Sequence, residues 1–304
     1  MKVFLTGASG YMGSVVAEKL KGRGYKVSGL ARNEIAEAKL RGKNIEAVRG
    51  ELSDFDVLKT AARETDAVIH TAFSHNFDDF NDSVKLERDV IKSFGEALAQ
   101  TNKPLIVTSG SSVLGDTKNA VADEDFPFDQ NSSRVLRGEA ERDVLQLSSR
   151  GIRPLVLRLP LFVYGRSGSS FVPFVINQAK QNGAANYIES GSQRVSAVHV
   201  EDAADLYLLA LETSTAKYLY NVAAESFSMK DLSEAVARLL GVKAKSIPAE
   251  KAREQFGKMF EFLSINNQLD ATKAKLDLKW EINSNRTILD DVENGSYRKY
   301  KEQI

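Results

Sequence analysis

Three glycines at a spacing of three, Gly7, Gly10 and Gly13, restrict this chain more than any other feature. They follow the apolar segment Val3-Phe4-Leu5 directly and lead into a helical pattern at Ser14–Arg23. Residues 7 to 13 read Gly-Ala-Ser-Gly-Tyr-Met-Gly, and each glycine answers a separate requirement. One makes the tight turn out of a strand, one lets a pyrophosphate approach the backbone, and one lets the next helix pack closely on the sheet. The spacing alone is weak, but between a strand and a helix it predicts a Rossmann-type α/β fold with a dinucleotide site.

The rest of the first half agrees. Short runs rich in Val, Ile and Leu, at Lys2–Thr6, Lys26–Leu30, Ile45–Val48, Ala67–Thr71, Leu105–Ser109 and Pro154–Leu159, alternate with longer helical patterns. Strands of that kind are covered on both faces, as in a doubly wound parallel sheet. Helical stripes follow at Asn81–Gln100 and Ser133–Leu147. The polar stretch between Ser109 and Ser132 is too long for an ordinary strand-helix connection and is read as a binding loop. After Gly165 the alternation loosens. The expected division is a dinucleotide-binding Rossmann domain over 1–165 and a smaller C-terminal α/β substrate lobe over 166–304, with segments of the lobe returning to the first domain.

Composition narrows the chemistry. Forty-one basic and forty-one acidic residues cancel, which leaves no electrostatic footprint for nucleic acid or an anionic membrane. There is no cysteine and there are only three histidines, so metal sites and thiolate nucleophiles are not expected. The first apolar run leaves no room for a signal peptide, and no stretch approaches the roughly 18 apolar residues of a membrane span. A cytoplasmic monomer or homodimer acting on a small molecule is the expectation.

The second strand selects the cofactor. Where an NAD site offers a carboxylate to the ribose 2′-hydroxyl, this chain reads Leu30-Ala31-Arg32-Asn33. Arg32 suits a 2′-phosphate, so NADP is expected in preference to NAD.

Five segments in order resemble the extended short-chain dehydrogenase/reductase superfamily, the group known as the NAD-dependent epimerase/dehydratase family. They are Thr6 to Gly13, Gly50-Glu51-Leu52-Ser53-Asp54, Val68-Ile69-His70-Thr71-Ala72, Leu157-Arg158-Leu159-Pro160 with Val163-Tyr164-Gly165, and Val198-His199-Val200-Glu201-Asp202-Ala203-Ala204. The resemblance implies that Gly7, Ser9, Gly10, Tyr11, Met12 and Gly13 hold the pyrophosphate. It places Arg32, Glu51 and Leu52 at the adenosine, and Thr71, Ala72, Phe73, Thr108, Ser109, Arg137, Pro160, Leu161 and Val163 along the ribose and nicotinamide.

The family's proton chemistry uses a Ser or Thr, a Tyr and a Lys, and those positions fall here on Gly110, Ser133 and Arg137. No tyrosine lies between Tyr25 and Tyr164 and no lysine between Lys118 and Lys180, so no shift of register restores the dyad. Tyr297 and Lys301 have its spacing but read as surface residues of a charged C-terminal helix. Substitute catalytic residues are sought in Ser111 and Tyr164, and substrate contacts in His75, Ser112, Arg194 and His199. The leading expectation is an NADP(H)-dependent oxidoreductase that transfers hydride to or from a small carbonyl or alcohol. A sugar-nucleotide epimerase or dehydratase and a non-catalytic NADP-binding redox sensor stand as alternatives.

Overall fold

The computed structural model describes residues 1–73, 80–130, 134–168, 170–216 and 218–301. Its strands in chain order begin with β1 (Lys2–Thr6), β2 (Lys26–Ala31), β3 (Glu46–Arg49), β4 (Ala67–His70) and β5 (Pro104–Gly110). They continue through β6 (Val121–Ala122), β7 (Arg153–Leu159), β8 (Phe162–Tyr164), β9 (Ala184–Ile188) and β10 (Arg194–His199). The last are β11 (Tyr218–Asn221), β12 (Glu225–Ser228), β13 (Lys243–Ile247) and β14 (Gln268–Leu269). Seven of them form one sheet in the order β11-β7-β5-β4-β1-β2-β3, and every neighbouring pair in it is parallel.

Side chains alternate across this sheet with the two-residue period of a strand. Val3, Leu5, Ile69, Ile106, Leu155 and Leu157 join one buried cluster. Phe4, Val68, Leu105, Val107 and Val156 join another on the opposite face. The first face is covered by α1 (Tyr11–Gly22) and the helix Val200–Glu212, through Val15, Val16, Leu20, Leu206 and Tyr207. The second is covered by α3 (Phe55–Arg63), α4 (Phe80–Ala97) and α5 (Val135–Gln146), through Leu58, Val90, Phe94 and Val144. Between α1 and α3 lies α2 (Glu34–Gly42). The apolar runs of the sequence are continuous because both faces are buried.

Chain order reverses at β1. From β1 the chain moves outward to β2 and β3, then returns to place β4 on the other side of β1. The crevice beyond the C-terminal ends of β1 and β4 is therefore the topological switch point at which open α/β sheets bind ligands.

The second half forms its own apolar cluster, centred on Phe162, Ile176, Phe227, Val236 and Phe260, around the three-stranded sheet β12-β10-β8 and the pair β13-β9. Strand pairings help to join it to the first half. Strand β11 adds to the edge of the large sheet with Leu219 opposite Val156. Strand β14 pairs with β6 inside the long polar stretch, where buried Asn267 donates through Nδ2 to the carbonyls of Ser111 at 3.1 Å and Gly115 at 2.9 Å. That stretch is thus largely a structural bridge, held by a partner some 150 residues away that local sequence does not announce. Among the described residues no helix is long and apolar enough to cross a membrane.

Candidate functional site

At the end of β1, Gly7 has φ +74°, and a Cβ there would lie 2.6 Å from Thr71 Oγ1 and 2.9 Å from the Ala72 nitrogen. A Cβ on Gly13 would overlap the Gly7 carbonyl at 2.3 Å. The turn is closed by the Gly10 amide donating to the Gly7 carbonyl at 2.8 Å. Gly10 then starts α1 with no side-chain cap and with no acidic residue in the first turn. By contrast, α2 is capped by Asn33, whose Oδ1 accepts from the Ala36 amide at 2.9 Å. The first-turn N–H groups of α1 and the positive end of its dipole fit a pyrophosphate in the crevice.

Tyr11, in the same turn, has a mechanical role. Its hydroxyl donates to the Gly165 carbonyl at 2.7 Å, and its ring fills the space a Cβ on Gly168 would occupy. Burial pushes this phenol well above its usual range, so it acts as a hydrogen-bond donor and not as a base.

At the adenosine end, Arg32 stands exposed where β2 gives way to α2 and makes no ion pair among the described residues. Beside it, the Glu51 amide donates to Asp54 Oδ2 at 2.7 Å and leaves the Glu51 side chain exposed. Leu52 packs against the α3 and α4 side of the core.

At the other end of the crevice, Thr71 Oγ1 donates to the Thr6 carbonyl at 2.8 Å, and Thr6 Oγ1 lies 2.6 Å from His70 Nδ1. Thr108 Oγ1 and the Tyr207 hydroxyl share a 2.6 Å hydrogen bond. Arg137, on α5, lays its guanidinium 3.9 Å over the ring of Phe73. Its Nε faces Glu87 Oε2 at 3.5 Å, a pair that is too long for a good hydrogen bond. A Cβ on Gly110 would stop 3.6 Å short of Arg137 Nη1.

Burial holds the Glu87 carboxyl above the usual carboxylate range, with Arg137 opposing the shift. Burial, reinforced by Arg137, lowers His70 to about 4, so the ring is neutral at physiological pH. His70 Nε2, Glu87 Oε2, Arg137 Nε and the hydroxyls of Ser109 and Ser111 are buried without a hydrogen-bond partner among the described residues. Native interiors seldom tolerate such atoms, and a set of them on β4, α4, α5 and the end of β5 fits a polar ligand.

Several sequence expectations require correction. Tyr164 is fully buried, and its single hydroxyl proton faces two acceptors, Glu225 Oε1 at 2.7 Å and the Arg286 carbonyl at 2.8 Å. It is packed within the second half, with its hydroxyl already engaged. His199 caps the helix Val200–Glu212 by accepting at Nδ1 from the Glu201 amide at 3.3 Å, with its ring edge-on to Tyr164. That gives its Nδ1 a structural role at the start of the helix.

Tyr297 is not on the surface. It is fully buried, accepting from the Gly165 amide and donating to the Gly168 carbonyl. Arg194 is exposed and bonds to the Ser226 carbonyl and Gln268. Pro160, Leu161 and Val163 are buried after β7. Ser112, half-buried, lies near Gly110. His75 and Ser133 fall outside the described residues.

Sequence reasoning missed Glu87. Its signal was available, because Val84, Glu87, Ile91 and Phe94 fall on one helical stripe and a carboxylate there interrupts an apolar face. Asp202, fully buried in the Val-His-Val segment, accepts at Oδ1 from the amides of Asn283 and Ser284. That signature is therefore a scaffold for the C-terminal chain.

A seven-stranded parallel sheet with its glycine turn at the switch point defines a Rossmann-type α/β protein. The chain belongs to the NAD dependent epimerase/dehydratase family, whose model matches residues 3–223. It is 36% identical to an uncharacterised protein of Schizosaccharomyces pombe over 98% of this chain and all of the relative. It is 26% identical to a 4-hydroxy-2-methyl-3-oxo-4-farnesyl-3,4-dihydroquinoline-1-oxide ketoreductase of Stigmatella aurantiaca over 83% of this chain and 78% of the relative. Its fold is similar to that of the Thermus thermophilus UDP-glucose 4-epimerase in complex with NAD, with a TM-score of 0.79 and 20% identity over the full length of both.

Proposed function

We propose that this protein is an NADP(H)-dependent oxidoreductase acting on a small carbonyl or alcohol substrate. The single observation behind the cofactor preference is Arg32, an exposed cation at the end of β2 where an NAD site would offer an acid. The uncapped first turn of α1 binds the pyrophosphate, and Arg32 meets the ribose 2′-phosphate with charge-assisted hydrogen bonds. Thr71, Ala72, Phe73 and Arg137 line the ribose and nicotinamide. When bound, the dinucleotide supplies or accepts hydride. The ketoreductase among the relatives supports carbonyl reduction, and the absence of the Tyr–Lys dyad weighs against the sugar-nucleotide alternative.

The test compares NADPH and NADH by fluorescence titration. The wild-type protein is expected to prefer NADPH by roughly ten- to a hundredfold, and Arg32→Ala should abolish the preference. Equal affinities in the wild type would sink the assignment. Turnover of aldehydes or ketones with NADPH then separates an enzyme from a redox sensor.

A further inference from the structure

We propose that Arg137 is the anion site for the substrate, which is an oxo acid or hydroxy acid whose carboxylate docks on the guanidinium beside Gly110. The inference rests on the dinucleotide reading above and specifies the substrate class of the same site.

Arg137 is held in place from two sides. Phe73 lies under its plane at 3.9 Å and Glu87 faces its Nε at 3.5 Å. The N–H groups on Nη1 and Nη2 meet no acceptor among the described residues. In front of them stands Gly110, and even an added Cβ would stop 3.6 Å from Nη1. A glycine here leaves open the space that a serine or threonine hydroxyl would partly fill.

The chemistry of the group decides what it can do. Guanidinium does not lose its proton in proteins, so Arg137 cannot pass a proton to a substrate oxygen. A fixed planar fork of donors is suited to paired hydrogen bonds with a carboxylate.

The charges around the site favour an incoming anion. Glu87, from α4, faces only the Nε side of Arg137, at 3.5 Å, and burial raises its pKa against the opposing pull of Arg137. Of the next acids along α5, Glu139 pairs with Arg88 at 3.3 Å and Glu141 with Arg158 at 2.6 Å. From β4, His70 brings no charge at neutral pH. Among the described residues, Nη1 and Nη2 are thus left without an acceptor and the guanidinium is only partly compensated. A substrate carboxylate completes it, and an adjacent carbon–oxygen group then lies near the ends of β4 and β5.

The test uses protein saturated with NADP⁺, titrated calorimetrically with acetoacetate and with methyl acetoacetate, which differ in the carboxylate and cannot be reduced by the oxidised cofactor. Acetoacetate is expected to bind roughly 10- to 100-fold more tightly than its ester. Glu87→Gln should keep or enlarge that ratio, because the guanidinium stays and its competitor is gone. The double variant E87Q/R137M strands no buried charge and should bring the ratio to one while weakening NADP⁺ much less than acetoacetate.

Equal binding of acid and ester by the wild type overturns the inference, as does failure of the acid to bind. So does a double variant that weakens NADP⁺ as much as acetoacetate, which would return Arg137 to the cofactor alone. Wild-type protein that takes no NADP⁺ overturns the cofactor reading and this inference with it. NADP⁺ binding without discrimination overturns this inference alone.

Discussion

The Tyr11 hydroxyl reaches across 154 residues of sequence to donate to the Gly165 carbonyl at 2.7 Å. Tyr297 approaches the same loop from the C-terminal segment, accepting from the Gly165 amide at 3.2 Å and donating to the Gly168 carbonyl at 2.9 Å. The phosphate turn and the C-terminal segment are therefore fastened to one loop. Tyr11→Phe keeps the ring but leaves that carbonyl without this donor, at an expected cost of about 1–2 kcal/mol. Urea denaturation should show a lower midpoint with an unchanged slope; an unaltered midpoint would show the bond to be energetically silent.

Gly13→Ala should be far more damaging than its size suggests. The new Cβ would sit 2.3 Å from the Gly7 carbonyl oxygen, a backbone atom that cannot move without opening the turn. NADPH titration should show affinity falling by at least an order of magnitude, whereas Gly22→Ala, where a Cβ meets nothing within 4 Å, should leave it unchanged.

Tyr164→Phe separates structure from chemistry. Because the hydroxyl is spent on Glu225 and the Arg286 carbonyl, its loss should lower stability by about 1–3 kcal/mol. Once an active substrate is found, kcat and its pH profile should be those of the wild type. Loss of turnover in a fully folded variant would restore Tyr164 as a proton donor.

His70 gives the fold a pH dependence of definite sign. Its pKa is depressed from 6.5 to about 4 in the folded protein, so between these values the unfolded chain holds more protons. Stability from this group is fully present above pH 6.5 and declines as pH falls toward 4, by of order 3 kcal/mol in all. Urea unfolding at a series of pH values should show this slope in the wild type, and a flatter one in His70→Asn.

The fold was legible because its evidence is local. Residues 7 to 13 carry their conformational demands in their own side chains, and the period of apolar residues around Val3-Phe4-Leu5 or Leu105-Ile106-Val107 reports two buried faces wherever the segment ends up. Strand limits moved by a residue or so, as at Glu46–Arg49. The sequence could not give the destinations of polar groups in folded space. Tyr164 and Tyr297 looked chemical or superficial along the chain, yet both are committed to partners on other elements. Glu87 looked like one more helix acid, yet it is buried beneath Arg137.

The glycine turn and the arginine after the second strand thus belong to the sequence, since a turn and a charge at a strand end are set within a few residues. The pairing of Glu87 with Arg137 over Phe73 belongs to the tertiary structure. It exists only where α4, α5 and the end of β4 converge, and burial there, not residue identity, gives those charges their character.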